Sequence, residues 1–235
     1  MTAVLVREGL SGTPWNKGLT KLTHPSVAKM ALSRSGKRYG PYRSSKPLNL
    51  SRSAELAELI GIILGDGSLA PSSRTQRLLI SLDSRVQDQV RYTAYLMKNV
   101  FEIEPKVVLQ KGAHCNRVYI YHNGIAEALG LPLGNKIKND VGVPRWIKDD
   151  DSHLKLCLRG LFETDGSYYE QPHNSTYVLD FKNKCRQLLQ DVFDGLVQLG
   201  YRPQKGGDYV RLAKKAEVQK FAKEINFRNF SCRIR

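Results

Sequence analysis

At 235 residues, with 41% hydrophobic and 25% charged residues, the chain can bury one large core or two small ones. Its charge is unusual: 37 Lys and Arg against 22 Asp and Glu leave +15, a surplus that calls for a polyanionic partner, nucleic acid first. No apolar run reaches the length of a membrane span, MTAVLVREGL is too short and too soon charged for a signal peptide, and Cys115, Cys157, Cys185 and Cys232 lack Cys-x-x-Cys spacing; the expectation is a soluble intracellular protein with reduced thiols.

The first fifty residues hold nine basic residues (Arg7, Lys17, Lys21, Lys29, Arg34, Lys37, Arg38, Arg43, Lys46) against one acid, Glu8. Gly, Pro and Ser are frequent there and large aliphatics sparse, so no packed core is expected. PSVAKMALSRSG is the exception. Pro25 suits a first helical turn, Val27, Met30 and Ala31 share one face, and Gly36 suits the C-cap. The segment reads as an extended basic arm carrying one short helix, with a linker from Lys37 to Asn49.

After Leu50 the chain repeats itself. An apolar helix ends at Asp66, RLLISLDS reads as a strand, SRVQDQVRYTAYLMKNVF as a helix, KVVLQ and RVYIYH as paired strands, and GIAEALGL as a short helix. A second helix ends at Asp165. TYVLDFKN then reads as a strand, CRQLLQDVFDGLVQLG as a helix, YRPQK and DYVRLA as a hairpin through Gly206 and Gly207, and AEVQKFAKEINF as a helix. The two acids lie 99 residues apart, the offset of an internal repeat. PLGNKIKNDVGVPRWIKDDD, broken by Pro132, Gly134 and Pro144, connects the halves. The expected organisation is a basic arm and linker over 1–50, a first half over 51–143 and a second over 144–235, in a pseudo-symmetric α+β protein.

The helix ends carry the chemistry. LIGIILGDG (59–67) and LRGLFETDG (158–166) each place a small residue five before the acid (Gly61, Gly160) and another directly before it (Gly65, Thr164). Residues four apart share a helical face, so each helix presents a small-residue strip that lets two backbones approach closely. Packed through these strips, the helices would bring Asp66 and Asp165 out side by side. An acid at a helix C-terminus opposes the helix dipole, and two together repel. A local rule broken twice in the same way points to a functional site. A divalent metal is the natural compensation, with carboxylates and the helix-end carbonyls of Gly65 and Thr164 as hard oxygen ligands of the kind Mg²⁺ takes. Gly67 and Gly166 would let the chain leave each helix with φ > 0.

These two motifs resemble those of a single-chain LAGLIDADG homing endonuclease, over roughly residues 53 to 230. The resemblance implies two αββαββα halves joined at the motif helices, with two four-stranded antiparallel sheets forming a saddle over the major groove of double-stranded DNA. It assigns Asp66 and Asp165 to catalysis and to binding two or more Mg²⁺ ions. Lys136, with Lys138 as rival, would offset charge near the scissile phosphate in the first half; Arg228 or Arg233 are the candidates in the second. Asn183, and Ser84 in the other half, would help to position water. The implied reaction is hydrolysis of both strands of a long asymmetric target, leaving short 3′ overhangs, by a monomer without an obligate protein partner. Strand side chains would read base edges, the candidates being Arg74, Gln76, Arg77, Ser81, Lys111, Tyr119, Tyr177, Lys182 and Arg211.

GTPWNKGLTKLTHPSVAKMALSRSGK is similar to the modular DNA-binding motif that accompanies intron-encoded nucleases. This puts Trp15, Lys17, Lys29, Arg34, Lys37 and Arg38 on DNA beyond the saddle. His122-Asn123 and His173-Asn174 lack the spacing of an HNH site, and His114 beside Cys115 has no partner at zinc-ligand spacing. Two other readings stay open: an RNA maturase that assists splicing, and a DNA-binding regulator that does not cut.

Overall fold

The computed structural model describes residues 14–35, 47–171 and 176–228 and divides the chain into two compact units, 1–46 and 47–235. Among the described residues there are eight helices and two four-stranded sheets, and no helix is long and apolar enough to cross a membrane.

In the first unit, α1 (Pro25–Arg34) starts with proline at the N-terminal turn and buries no residue. A turn closed by the Lys17 amide on the Pro14 carbonyl (2.9 Å) precedes it, and the Trp15 ring meets the His24 ring edge-on at 6.0 Å. Lys17 in the turn and Lys29 and Arg34 on the helix are exposed. Gly36, Lys37 and Arg38 lie outside the described residues.

The second unit is built on two helices. α2 (Ala54–Asp66) opens at Ser53, whose hydroxyl accepts the Leu56 amide. α6 (Asp151–Asp165) opens at Asp150, whose carboxylate accepts the Ser152 and His153 amides at 2.8 and 3.0 Å. The helices touch backbone to backbone through the small-residue strips. A Cβ added at Gly61 would lie 2.1 Å from the Cys157 carbonyl oxygen, and one at Gly160 2.5 Å from that of Glu58.

Gly67 and Gly166 depart from expectation. Their φ angles are −85° and −87°, ordinary extended values, and a strand begins at each. Glycine is needed there for space: a Cβ would lie 2.5 Å from the Ile63 carbonyl oxygen in one half and 2.2 Å from that of Phe162 in the other.

Each half then follows the expected order. In the first come β1 (Gly67–Ser72), β2 (Thr75–Asp83), α3 (Gln87–Phe101), β3 (Lys106–Leu109), β4 (Cys115–His122) and α4 (Ile125–Leu129). α5 (Arg145–Lys148) lies in the connection. The second half has β5 (Gly166–Gln171), β6 (Thr176–Lys182), α7 (Arg186–Gln198), β7 (Gln204–Lys205), β8 (Tyr209–Leu212) and α8 (Lys215–Ile225). The sheets are antiparallel, ordered β1-β2-β4-β3 and β5-β6-β8-β7. β1 contains Pro71, tolerated because β1 is an edge strand.

Period-two burial sets the faces. Leu78, Ile80, Leu82, Val118 and Ile120 are buried against the helices in the first half, and Leu179, Phe181, Val210 and Leu212 in the second. The cores differ in character. Phe162 packs against Phe181 and Phe221 with ring centroids 5.6 and 5.4 Å away, where the first half has Ile63 and Leu82 at the positions matching Phe162 and Phe181.

Candidate functional site

Asp66 and Asp165 are the last residues of α2 and α6. Burial and the neighbouring Asp165 charge push the Asp66 carboxyl up to about 6, against a smaller opposing pull from Lys136. Burial also raises Asp165, but there a hydrogen bond from Asn183 acts against it. Asn183 Nδ2 donates to Asp165 Oδ2 at 2.7 Å, and its Oδ1 accepts the Cys185 amide at 2.8 Å, which fixes the side chain's orientation. Ser84 occupies the matching backbone position: its amide donates to the His114 carbonyl as that of Asn183 does to Asp208. Among the described residues no side chain donates to Asp66, so the two acids stand in unlike surroundings.

Lys136 lies on the connection and reaches the end of α2. Its Nζ donates to the carbonyls of Ile63 (3.2 Å), Leu64 (2.7 Å) and Gly65. A cation there balances the negative end of the helix dipole. Burial lowers the ammonium pKa while both aspartates raise it. The Gly65 carbonyl already accepts this bond and keeps one lone pair for any metal. The Thr164 hydroxyl turns back to the Gly160 and Leu161 carbonyls (2.9 Å each), leaving its own carbonyl as the ligand it could offer.

The Lys136 loop is anchored on the second half. Asp140 accepts the Gln187 amide (3.0 Å), and buried Asp191 accepts the Val143 amide (2.7 Å) and the Lys148 ammonium (2.9 Å). A cleft of about 300 Å³ opens beside it, lined by Gly65, Lys136, Asp165, Lys182, Asn183 and Lys184. Lys184 was not anticipated from the sequence. Its position next to Asn183 was the available signal.

Arg228 is not free for a phosphate. Its guanidinium pairs with Glu163 (2.7 Å) and Glu58 and lies 3.5 Å over the Tyr92 ring. Glu58 is 2% exposed and also pairs with Arg159 at 2.6 Å, so this network braces the motif helices. Arg233 lies outside the described residues.

The sheet faces sort the remaining candidates. Arg77, Ser81 and Tyr119 project from the face turned away from the helices, as do Lys182 and Arg211 on the second sheet. Arg74 and Lys111 sit in the turns β1–β2 and β3–β4. Two candidates need correction. Gln76 shares the face of Leu78 and serves α4, accepting the Ala126 amide (3.0 Å) and donating to Glu127 (3.1 Å). Tyr177 shares the face of Leu179 and Phe181, packs on the core, and has the Lys215 ammonium 4.6 Å from its ring. Lys106, Arg117 and Tyr121 also belong to the open face and were missed. Alternation within RVYIYH, read from buried Val118 and Ile120, places Arg117 and Tyr121 there.

Among the described residues no three His, Cys, Asp or Glu side chains converge, so a metal would rest on the two carboxylates, helix-end carbonyls, water and a phosphate. That donor set fits Mg²⁺, which typically uses one or two carboxylates plus substrate phosphate.

Comparisons with known proteins agree with this architecture. Residues 152–226 match the model of the LAGLIDADG-like domain. The tRNA-splicing ligase RtcB of Methanopyrus kandleri is 28% identical over 187 residues, covering 69% of this chain but only 19% of that protein. The homing endonuclease I-DmoI, solved in complex with DNA and Mn, superposes with a TM-score of 0.53 at 20% identity over 73% of this chain and 96% of its own. Full-length DUF199/WhiA from Thermatoga maritima gives 0.54 at 17% identity, over 80% of this chain and 61% of its own. Residues 152–226 thus match the LAGLIDADG-like domain, and the unit from Pro47 onward has the fold of I-DmoI, with two motif helices and two four-stranded sheets.

Proposed function

We propose that the chain is a site-specific DNA endonuclease that breaks both strands of a long asymmetric duplex, leaving short 3′ overhangs, by Mg²⁺-dependent hydrolysis. The observation that carries this reading is the pair of half-buried carboxylates at the converging ends of α2 and α6, with Lys136 at one and Asn183 at the other. Fold likeness alone would not separate a nuclease from a binding protein. A pair of acids that repel each other, one raised to about 6, is a standing penalty that a binding protein has no use for.

Asp66 and Asp165 would hold two or more divalent ions. When bound, the metal supplies Lewis-acid polarisation of the phosphate and a nucleophilic water at neutral pH. The chain's own residues do the rest. Asn183 holds Asp165 in one orientation, and the Lys136 ammonium offsets negative charge gathering beside α2. Arg77, Ser81, Tyr119, Lys182 and Arg211 face the duplex from the two sheets, and the basic arm follows the backbone beyond them. The protein would act as a monomer, since one chain contains both acids and both sheets.

The reading is tested by incubating the protein with a randomised duplex library in Mg²⁺ and sequencing the cut ends. Recovery of one family of asymmetric sites cut on both strands, abolished by EDTA, is the expected result. Sequence-selective binding with no cut ends would instead favour a DNA-binding regulator that does not cut.

A further inference from the structure

One side chain on the open face of the second sheet is out of keeping with a surface that meets DNA. Asp180 of β6 points away from the helices, opposite in phase to Leu179 and Phe181, yet it is only 1% exposed. Arg211 of β8, its direct cross-strand partner, covers it, with Nε on Oδ1 at 2.9 Å and Nη2 on Oδ2 at 3.4 Å. The Tyr169 hydroxyl donates to Oδ2 at 3.3 Å, and the Arg211 guanidinium lies over the Tyr209 ring at 4.1 Å.

A carboxylate on a face that meets phosphates weakens binding unless it is neutralised. The pair has no net charge, so it adds nothing to the electrostatic pull of the sheet. Its effect is orientation. Asp180 takes the Nε–Nη2 edge of the guanidinium and Tyr209 holds its plane, which leaves the Nη1–Nη2 edge as the fork that can still donate twice. Guanine presents two acceptors, O6 and N7, at matching spacing in the major groove. The first half has the same cross-strand pair in different chemistry: Ser81 opposes Arg117, which is exposed and has no carboxylate opposite it.

We infer that Arg211, held by Asp180, reads a guanine in the half-site that meets the second sheet, with Asp180 as the positioning residue that makes this base pair strictly specified. The matching position under Arg117 is read more loosely. This rests on the proposed binding of duplex DNA across both sheets.

The test is binding-site selection from a randomised duplex library with the wild type, Asp180→Asn, and the double variant Asp180→Asn with Arg211→Gln, which keeps the pair at zero net charge. The wild type should select one guanine that the double variant replaces with adenine or with no preference, a loss of about ten- to a hundredfold in discrimination at that base pair alone. The log–log salt slope should stay unchanged, because the same phosphates remain engaged. Asp180→Asn, isosteric and still able to accept from Nε, should keep the guanine but discriminate less at that position. An unchanged consensus in the double variant, a slope lower by about one, or an equal loss of affinity for every sequence in Asp180→Asn would each overturn the inference. A wild type that selects no sequence would sink it together with the function it rests on. One that selects a sequence but does not cut it would sink the nuclease reading alone.

Discussion

The two halves share a backbone plan and differ in what surrounds each acid. Gly67 opens β1 as Gly166 opens β5, and the Ser84 and Asn183 amides make the same bond one half apart. Around Asp66 there is no side-chain donor among the described residues, and the balancing cation comes from the connection, seated on the helix end. Around Asp165 there is a neutral amide, itself fixed by the Cys185 backbone. Strand order and the packing of the motif helices, which the core enforces, are thus common to both halves, while the groups facing the site diverge. In the proposed reaction, two chemically unlike centres would serve the two strands.

The largest expected effect is on cutting. Asp66→Asn or Asp165→Asn should lower double-strand cleavage by a factor on the order of a thousand or more, while gel-shift affinity changes only a few-fold. Equal cutting by either variant would remove that acid from the site. The arm belongs to neither half, so deleting residues 1–46 should weaken both alike. Affinity should fall, the log–log salt slope should flatten by roughly one unit for each phosphate the arm had neutralised, and the cut position should stay put. An unaltered slope would mean the arm does not touch DNA.

Smaller effects probe the helix packing and the acids' unequal surroundings. Gly61→Ala or Gly160→Ala places a methyl group against a facing backbone and should destabilise by about 1–3 kcal/mol, read from chemical denaturation. Asp66→Asn should stabilise at pH 7, by about 1–3 kcal/mol. The sign follows from the direction of the shift. The folded carboxyl holds its proton up to about pH 6 and the unfolded one only to about 3.8, so wild-type stability is lost as pH rises through that window. The gain in the variant should therefore vanish below about pH 4. Asp165→Asn should gain less, because the Asn183 bond already opposes the effect of burial there. Equal gains would contradict the asymmetry.

Much of this was legible in the sequence because it repeats at fixed spacing. The 99-residue offset, the small-residue strips and the acids at the helix ends needed no tertiary knowledge. Phase and partners were harder to see. Gln76 and Tyr177 are one residue out of phase with the open face, and only buried neighbours such as Leu78 and Phe181 fix which parity is which. Arg228 looked like a spare cation because its partners, Glu163 and Glu58, lie 65 and 170 residues away along the chain. Gly67 and Gly166 looked like turn formers, whereas the constraint on them is close packing against their own helix.

One chain, with two unlike halves, is proposed to complete one site on one duplex. Sedimentation velocity of the protein with a fluorescent duplex carrying the selected target tests it most directly. One chain per duplex on a non-palindromic site is the predicted result; two chains per duplex on a palindrome would contradict it.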